Sequence, residues 1–168
     1  MIEFMVIAGP RSSTTWCANF LTTDTTFCHH GLSAKLHHSE WDALDSNKIL
    51  GVSDTVVSRF HKWLNKHPAR KVILHRDGKE ICESVGCSEI PELTWCLDKV
   101  EGMHVHYMDV FDNPKPIFEF LLQREFDKER HDMLKQFQIN TMAHKVKMDK
   151  NIHLRIMREL QEDINSAD

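Results

Sequence analysis

Short apolar runs of strand length alternate with helix-type segments along the chain, and this alternation limits the fold more than any composition figure does. Strand-type runs are Glu3 to Ala8, Thr26 to His30, Ile49 to Ser53, the β-branched Lys71 to His75 (KVILH) and Met103 to Met108. Helices are predicted over Thr14 to Thr22, Thr55 to Lys66 behind an Asp54 cap, and Asp77 to Val85, where Asp77 and Glu80 stand at capping-box spacing. Further helices are predicted over Glu92 to Val100, Pro116 to Leu122 and Asp127 to Phe137, with a charged amphipathic tail helix from Asn151 to Asn165. Ser33 to Asn47 is polar and aperiodic and reads as loop with a helical turn. Strand–helix alternation of this kind predicts an α/β fold, a three-layer α/β/α sandwich around a mainly parallel sheet covered on both faces. At 168 residues the chain is expected to be a single domain, 1–168, with a C-terminal helical segment at 151–168.

Bulk properties remove several functional classes. A net charge of −4 argues against a general nucleic-acid binder, which is normally basic. No apolar run approaches a membrane span, and the N-terminal MIEFMVIAG, with Glu3 inside it, reads as a first strand and not as an export signal. Cys17, Cys28, Cys82, Cys87 and Cys96 make an odd count with no zinc-ribbon spacing, so reduced thiols in a cytoplasmic protein are expected.

Two strand–loop–helix segments carry the chemistry. In "VIAGPRSSTTWCANF" a strand feeds a Gly9-initiated turn rich in hydroxyls and then a helix. Backbone N–H groups and the helix dipole converge there, and Arg11 adds a permanent forked cation, a combination suited to phosphate or sulfate. A Ser/Thr turn that only caps the helix is the competing reading. The kinase-type signature G-x-x-x-x-G-K-[ST] is absent, since neither a second Gly nor a Lys follows Gly9. In "KVILHRDGKEICESVG" Arg76 follows the strand's C-terminal end, where open α/β sheets bind ligands. Ser84 stands two helical turns further on, a spacing that does not by itself turn it toward the same site.

"GPRSSTTW" resembles the 5′-phosphosulfate loop of sulfotransferases, P-[KR]-S-G-T-T-W, and "HRDGKEICES" resembles the same family's 3′-phosphate-binding strand and helix. "YMDVFDNPKPIFEFLLQREFDKERHDML" is similar to the family's later strand, acidic turn, N-P helix and D-x-E-R helix. The three pieces lie in the family's order and cover 46 of the chain's 168 residues. The resemblance implies a P-loop NTPase-like sulfotransferase fold. It also implies transfer of a sulfuryl group from 3′-phosphoadenosine 5′-phosphosulfate to a hydroxyl or amine of a small-molecule, glycan or peptide acceptor, with no metal. By the same resemblance, Arg11 neutralises charge that develops on the phosphate oxygen as the S–O bond breaks. Ser12, Ser13, Thr14 and Thr15 hold the 5′-phosphate. Arg76 and Ser84 hold the 3′-phosphate. Trp16 either packs on the adenine or is a core residue. The missing Lys also fits, because a sulfuryl donor has no β–γ phosphate chain to grip.

The chain departs from the family in four places. Ser13 stands where the family often has Gly, so a left-handed backbone there would strain it. The family's catalytic His has no counterpart in "ILGVSDTVVS". Asp54 near that position is either the base or, as the reading favoured here, only a cap; His30 is either the base or structural. The C-terminal glycine-rich loop has no match, and "AHKVKMDK" offers only Lys145 and Lys147. The chain is short, so either the acceptor-binding insertions are small or a partner subunit, a second copy included, completes the pocket. Neither the set Cys28, His29, His30, His37 and His38 nor the pair His104 and His106 has the spacing of a defined metal site. A non-catalytic nucleotide-binding relative of the sulfotransferases and, more remotely, a P-loop nucleotide kinase are the alternatives.

Overall fold

A computed structural model describes residues 1–86 and 96–136, and in it β1 (Ile2–Ala8) is the middle strand of a five-stranded parallel sheet. The other strands are β2 (Thr26–His30), β3 (Ile49–Asp54), β4 (Arg70–His75) and β5 (Met103–His106), in the order β2-β3-β1-β4-β5. β1 is flanked by β3 on one side and β4 on the other, both parallel. Its residues are buried on both faces apart from Glu3, as expected of a central parallel strand.

Helices α1 (Thr14–Phe20), α4 (Asp109–Asp112) and α5 (Pro114–Leu122) pack on one face. Phe4, Val6 and Ala8 meet Val72, Leu74, Trp16, Phe20 and Phe118 there. Met5 and Ile7 point to the other face, where Val52, Ile73, Trp41, Phe60 and Leu64 close a second core under α2 (His61–Lys66) and the loops around it. Each fully buried side chain of this size contributes about 1.5–3 kcal/mol. Gly51 is required by packing, because a Cβ built on it would lie 2.0 Å from the Phe4 ring. The helix α6 (Lys128–Gln136) fastens the first core from outside. Its Arg130 donates to the carbonyls of Asn19, at 2.8 Å, and of Thr22, at the C-terminal end of α1 where carbonyls lack helical partners.

Two expected elements take a different form. The stretch after Asp54 opens with a 3-10 turn, Val57–Phe60, before α2. The helix expected over Glu92 to Val100 shows only a 3-10 turn at Leu97–Lys99 within the described residues. Ser33 to Asn47 holds two 3-10 turns, the first beginning one residue earlier: Leu32–Ala34 and His38–Ala43. Cys87, Phe137, the "AHKVKMDK" segment and the tail helix lie outside the described residues.

Candidate active site

The connection leaving β1 runs toward β2, and the one leaving β4 (Arg70–His75) runs the opposite way toward β5. Adjacent parallel strands whose connections diverge leave a crevice at their C-terminal ends, the usual ligand position in open α/β sheets. The Gly9–Ser13 loop and Arg76 both lie at this crevice, on neighbouring strands.

The loop is held in an unusual backbone shape. Arg11 (φ 60) and Ser13 (φ 66) are both left-handed, a region costly for residues with a Cβ. The strain expected at Ser13 is present, and Arg11 adds a second strained residue that the sequence did not announce. Ser13 is the N-cap of α1 but makes no side-chain capping bond. The first intrahelical bond is Cys17 N–H to Ser13 C=O at 2.9 Å. The amides of Thr14, Thr15 and Trp16, which belong to a first turn without intrahelical acceptors, are therefore not occupied by the cap.

Arg76 and Ser84 come to this loop from β4 and α3 (Gly78–Val85). Asp77 caps α3 by accepting from Lys79 N–H at 2.8 Å, which fixes how the helix leaves the strand. Glu80 does not complete the capping box; its carboxylate instead takes Arg76 Nε–H at 3.2 Å. Arg76 also donates to the Arg11 carbonyl and lies over the Tyr107 ring, 4.6 Å from its centroid. Arg11 Nε–H in turn donates to Ser84 Oγ at 3.0 Å. Arg11, Arg76 and Ser84 thus form one connected group, with Ser84 turned toward the loop. Sequence reasoning missed Tyr107 and Glu80. Tyr107 directly follows β5, and its N–H donates to His75 C=O at 2.8 Å, while Glu80 stands one helical turn from Arg76; both spacings were available as signals. Burial pushes the Tyr107 hydroxyl above its ordinary pKa, with the Arg76 charge opposing.

The remaining candidates divide. His30, the last residue of β2, places Nε2 3.1 Å from Thr15 Oγ1 and 3.3 Å from Thr14 Oγ1. Desolvation lowers its pKa, the Asp54 carboxylate opposes this, and the Lys35 ammonium adds to the lowering. A neutral imidazole beside the hydroxyls of the loop can accept a proton near neutral pH.

Asp54 is tied into the turns around it. It is 1% exposed. Its carboxylate accepts from Ser33 N–H (2.9 Å), Ser33 Oγ–H (2.7 Å), Val56 N–H (2.7 Å) and Val57 N–H (3.2 Å). It joins the turn after β2 to the turn after β3 (Ile49–Asp54), close to the capping role, although the structure it caps is a 3-10 turn and not the helix expected from Thr55.

Two cofactor-binding expectations need correction. Trp16 is a core residue, 6% exposed, with ring centroids 4.8 Å from both Phe20 and Phe111, so its indole is not placed to stack on a base. Ser12 is fully buried and its hydroxyl donates to Pro10 C=O at 3.3 Å, so its side chain is not presented to a ligand. The chain matches no protein-family model, and neither curated proteins nor solved structures give a significant match.

Proposed function

We propose that the crevice between β1 and β4 binds a nucleotide carrying phosphate at both ends of its ribose, and that the protein is a small sulfotransferase using 3′-phosphoadenosine 5′-phosphosulfate. The observation that carries this reading is the linked group of Arg11, Ser84 and Arg76 at the uncapped start of α1. Two guanidinium groups reached from adjacent strands, beside the first-turn amides of α1, suit a ligand with two separated anionic groups. In this reading Arg11 and the amides of Ser13 to Thr15 hold the 5′-phosphosulfate, and Arg76 and Ser84 hold the 3′-phosphate. The central strand between two others in the order β2-β3-β1-β4-β5 is compatible with a P-loop NTPase-like fold.

His30 is the proposed general base. It is the one candidate base from the sequence whose ring nitrogen reaches the loop hydroxyls. In the transfer step the acceptor oxygen forms a bond to sulfur and the S–O bond to the 5′-phosphate breaks. His30 takes the acceptor's proton, and Arg11 stabilises the negative charge left on the phosphate oxygen. No metal enters this scheme. The saturation of Asp54 favours one second reading, a nucleotide-binding protein without transfer activity, since it leaves a single base. The two are separated by following radiolabelled sulfate from the donor into a panel of sugars, phenols and peptides. Transfer by the wild type and its loss in His30→Gln supports the enzyme; donor binding with no transfer to any acceptor supports the binding protein.

A further inference from the structure

The β4–β5 edge of the sheet brings together donor groups that the anion site does not use. His75 ends β4, His104 lies in β5, and Asp98 lies in the 3-10 turn leading to β5. One ligand atom from each residue lies within 4.8 Å of the others. His75 Nε2 is 2.8 Å from His104 Nδ1, and His75 Nδ1 is 3.7 Å from an Asp98 carboxylate oxygen. Alternation along β5 puts His104 and His106 on one face, and strand pairing adds His75 to it: Ile73 is opposite His104 and His75 opposite His106, with the His75 ring turned toward His104.

We propose that His75, His104 and Asp98 form a binding site for a divalent transition metal, Zn²⁺ in the first instance, at the edge of the sheet. The donor set of two imidazoles and one carboxylate, with room for a fourth ligand, is that of an open zinc site. His104 carries the orientation such a site needs: its Nε2–H donates to Val100 C=O at 2.8 Å, leaving the Nδ1 lone pair directed at His75. Without metal that lone pair accepts the His75 Nε2 proton; on binding, this proton moves to His75 Nδ1, on the Asp98 side, and the metal takes its place at Nε2. Tetrahedral Zn–N bonds of about 2.0–2.1 Å require the two nitrogens, 2.8 Å apart, to separate by about half an ångström. Both rings can make this adjustment, since His104 is exposed and His75 is one-third exposed; the Asp98 side chain is 88% exposed and free to swing in. The site is independent of the proposed transferase reading, although the residue after His75 is Arg76.

The test is titration of chelator-treated full-length protein with Zn²⁺ by calorimetry, and with Co²⁺ followed by its visible d–d absorption. One equivalent with a tetrahedral Co²⁺ spectrum is expected for the wild type and for His29→Ala, which removes a histidine on the opposite sheet edge. His104→Ala is expected to lose that equivalent, and Asp98→Asn to weaken it by about tenfold or more. Circular dichroism checks that the variants are folded; Asp98→Asn, at an exposed position, carries the test if His104→Ala is not. Absence of a stoichiometric equivalent in the wild type, or its persistence unchanged in either folded variant, overturns the proposal.

Discussion

Arg11 Nε–H donates to Ser84 Oγ at 3.0 Å across 73 positions of sequence, and this bond joins the β1 loop to α3. It makes Ser84 a test of whether loop and helix act as one site. Ser84→Ala is expected to weaken binding of 3′-phosphoadenosine 5′-phosphate by about tenfold, since a hydroxyl donating to the charged 3′-phosphate contributes about 1.5 kcal/mol, the low end for such bonds. Arg11→Ala is expected to weaken it by more than that, since charge-assisted bonds contribute roughly 1.5–3 kcal/mol. Equal effects of the two variants would mean that Arg11 only positions Ser84. Calorimetry measures both.

The strained backbone at Ser13 (φ 66) predicts that Ser13→Gly stabilises the protein. Relief of a left-handed conformation is worth about 1–2 kcal/mol, offset by up to about 1 kcal/mol of glycine's extra unfolded-state entropy. Urea unfolding should therefore show a net gain of about 0.5–1 kcal/mol. A loss would show that the Ser13 side chain makes a contribution larger than its strain.

Asp54 accepts four hydrogen bonds in a buried position, so its role is structural. Asp54→Asn turns an amide toward groups that are all donors, and about 2–3 kcal/mol of stability should be lost. If Asp54 were the base, the variant would instead keep its stability and lose sulfuryl transfer. Unfolding midpoints and transfer rates, measured on the same preparation, separate the outcomes.

His30 sets a pH dependence. Desolvation and Lys35 lower its pKa below the ordinary value near 6.5, with Asp54 partly opposing. As pH falls, the unfolded chain takes up this proton before the folded one does. The stabilisation is thus complete above about pH 6.5 and is lost as pH falls through the folded-state pKa. Imidazole resonances should place the His30 midpoint below 6.5, and His30→Gln should flatten the acid limb of the stability curve. A midpoint above 6.5 would show that Asp54 outweighs burial.

Much of this fold can be read from the sequence, because parallel strands buried on both faces leave uninterrupted apolar runs such as KVILH. β2 falls on the boundaries its residues suggest, and the other strands within two residues of theirs. Strand order is not readable from such runs, and strand order is what brings Arg76 beside the β1 loop. The two arginines, Ser84 and His30 are legible as chemistry at the C-terminal ends of strands. Arg11's left-handed backbone is not, since nothing local distinguishes it. Trp16 reads equally as stacking group or core residue because a helix-start aromatic does not reveal which side faces the sheet. Gly51 carries no sequence signal at all, because its need arises from Phe4 on another strand. His75 and His104 meet only through pairing of β4 with β5.

The central claim is that the β1 loop and Arg76 make one site for a nucleotide phosphorylated at both ribose ends. Calorimetry of 3′-phosphoadenosine 5′-phosphate with wild type and Arg76→Ala tests it most directly. The account predicts binding to the wild type at one equivalent and a loss of affinity of about tenfold or more in Arg76→Ala. No binding to the wild type, or binding that Arg76→Ala leaves unchanged, would contradict it.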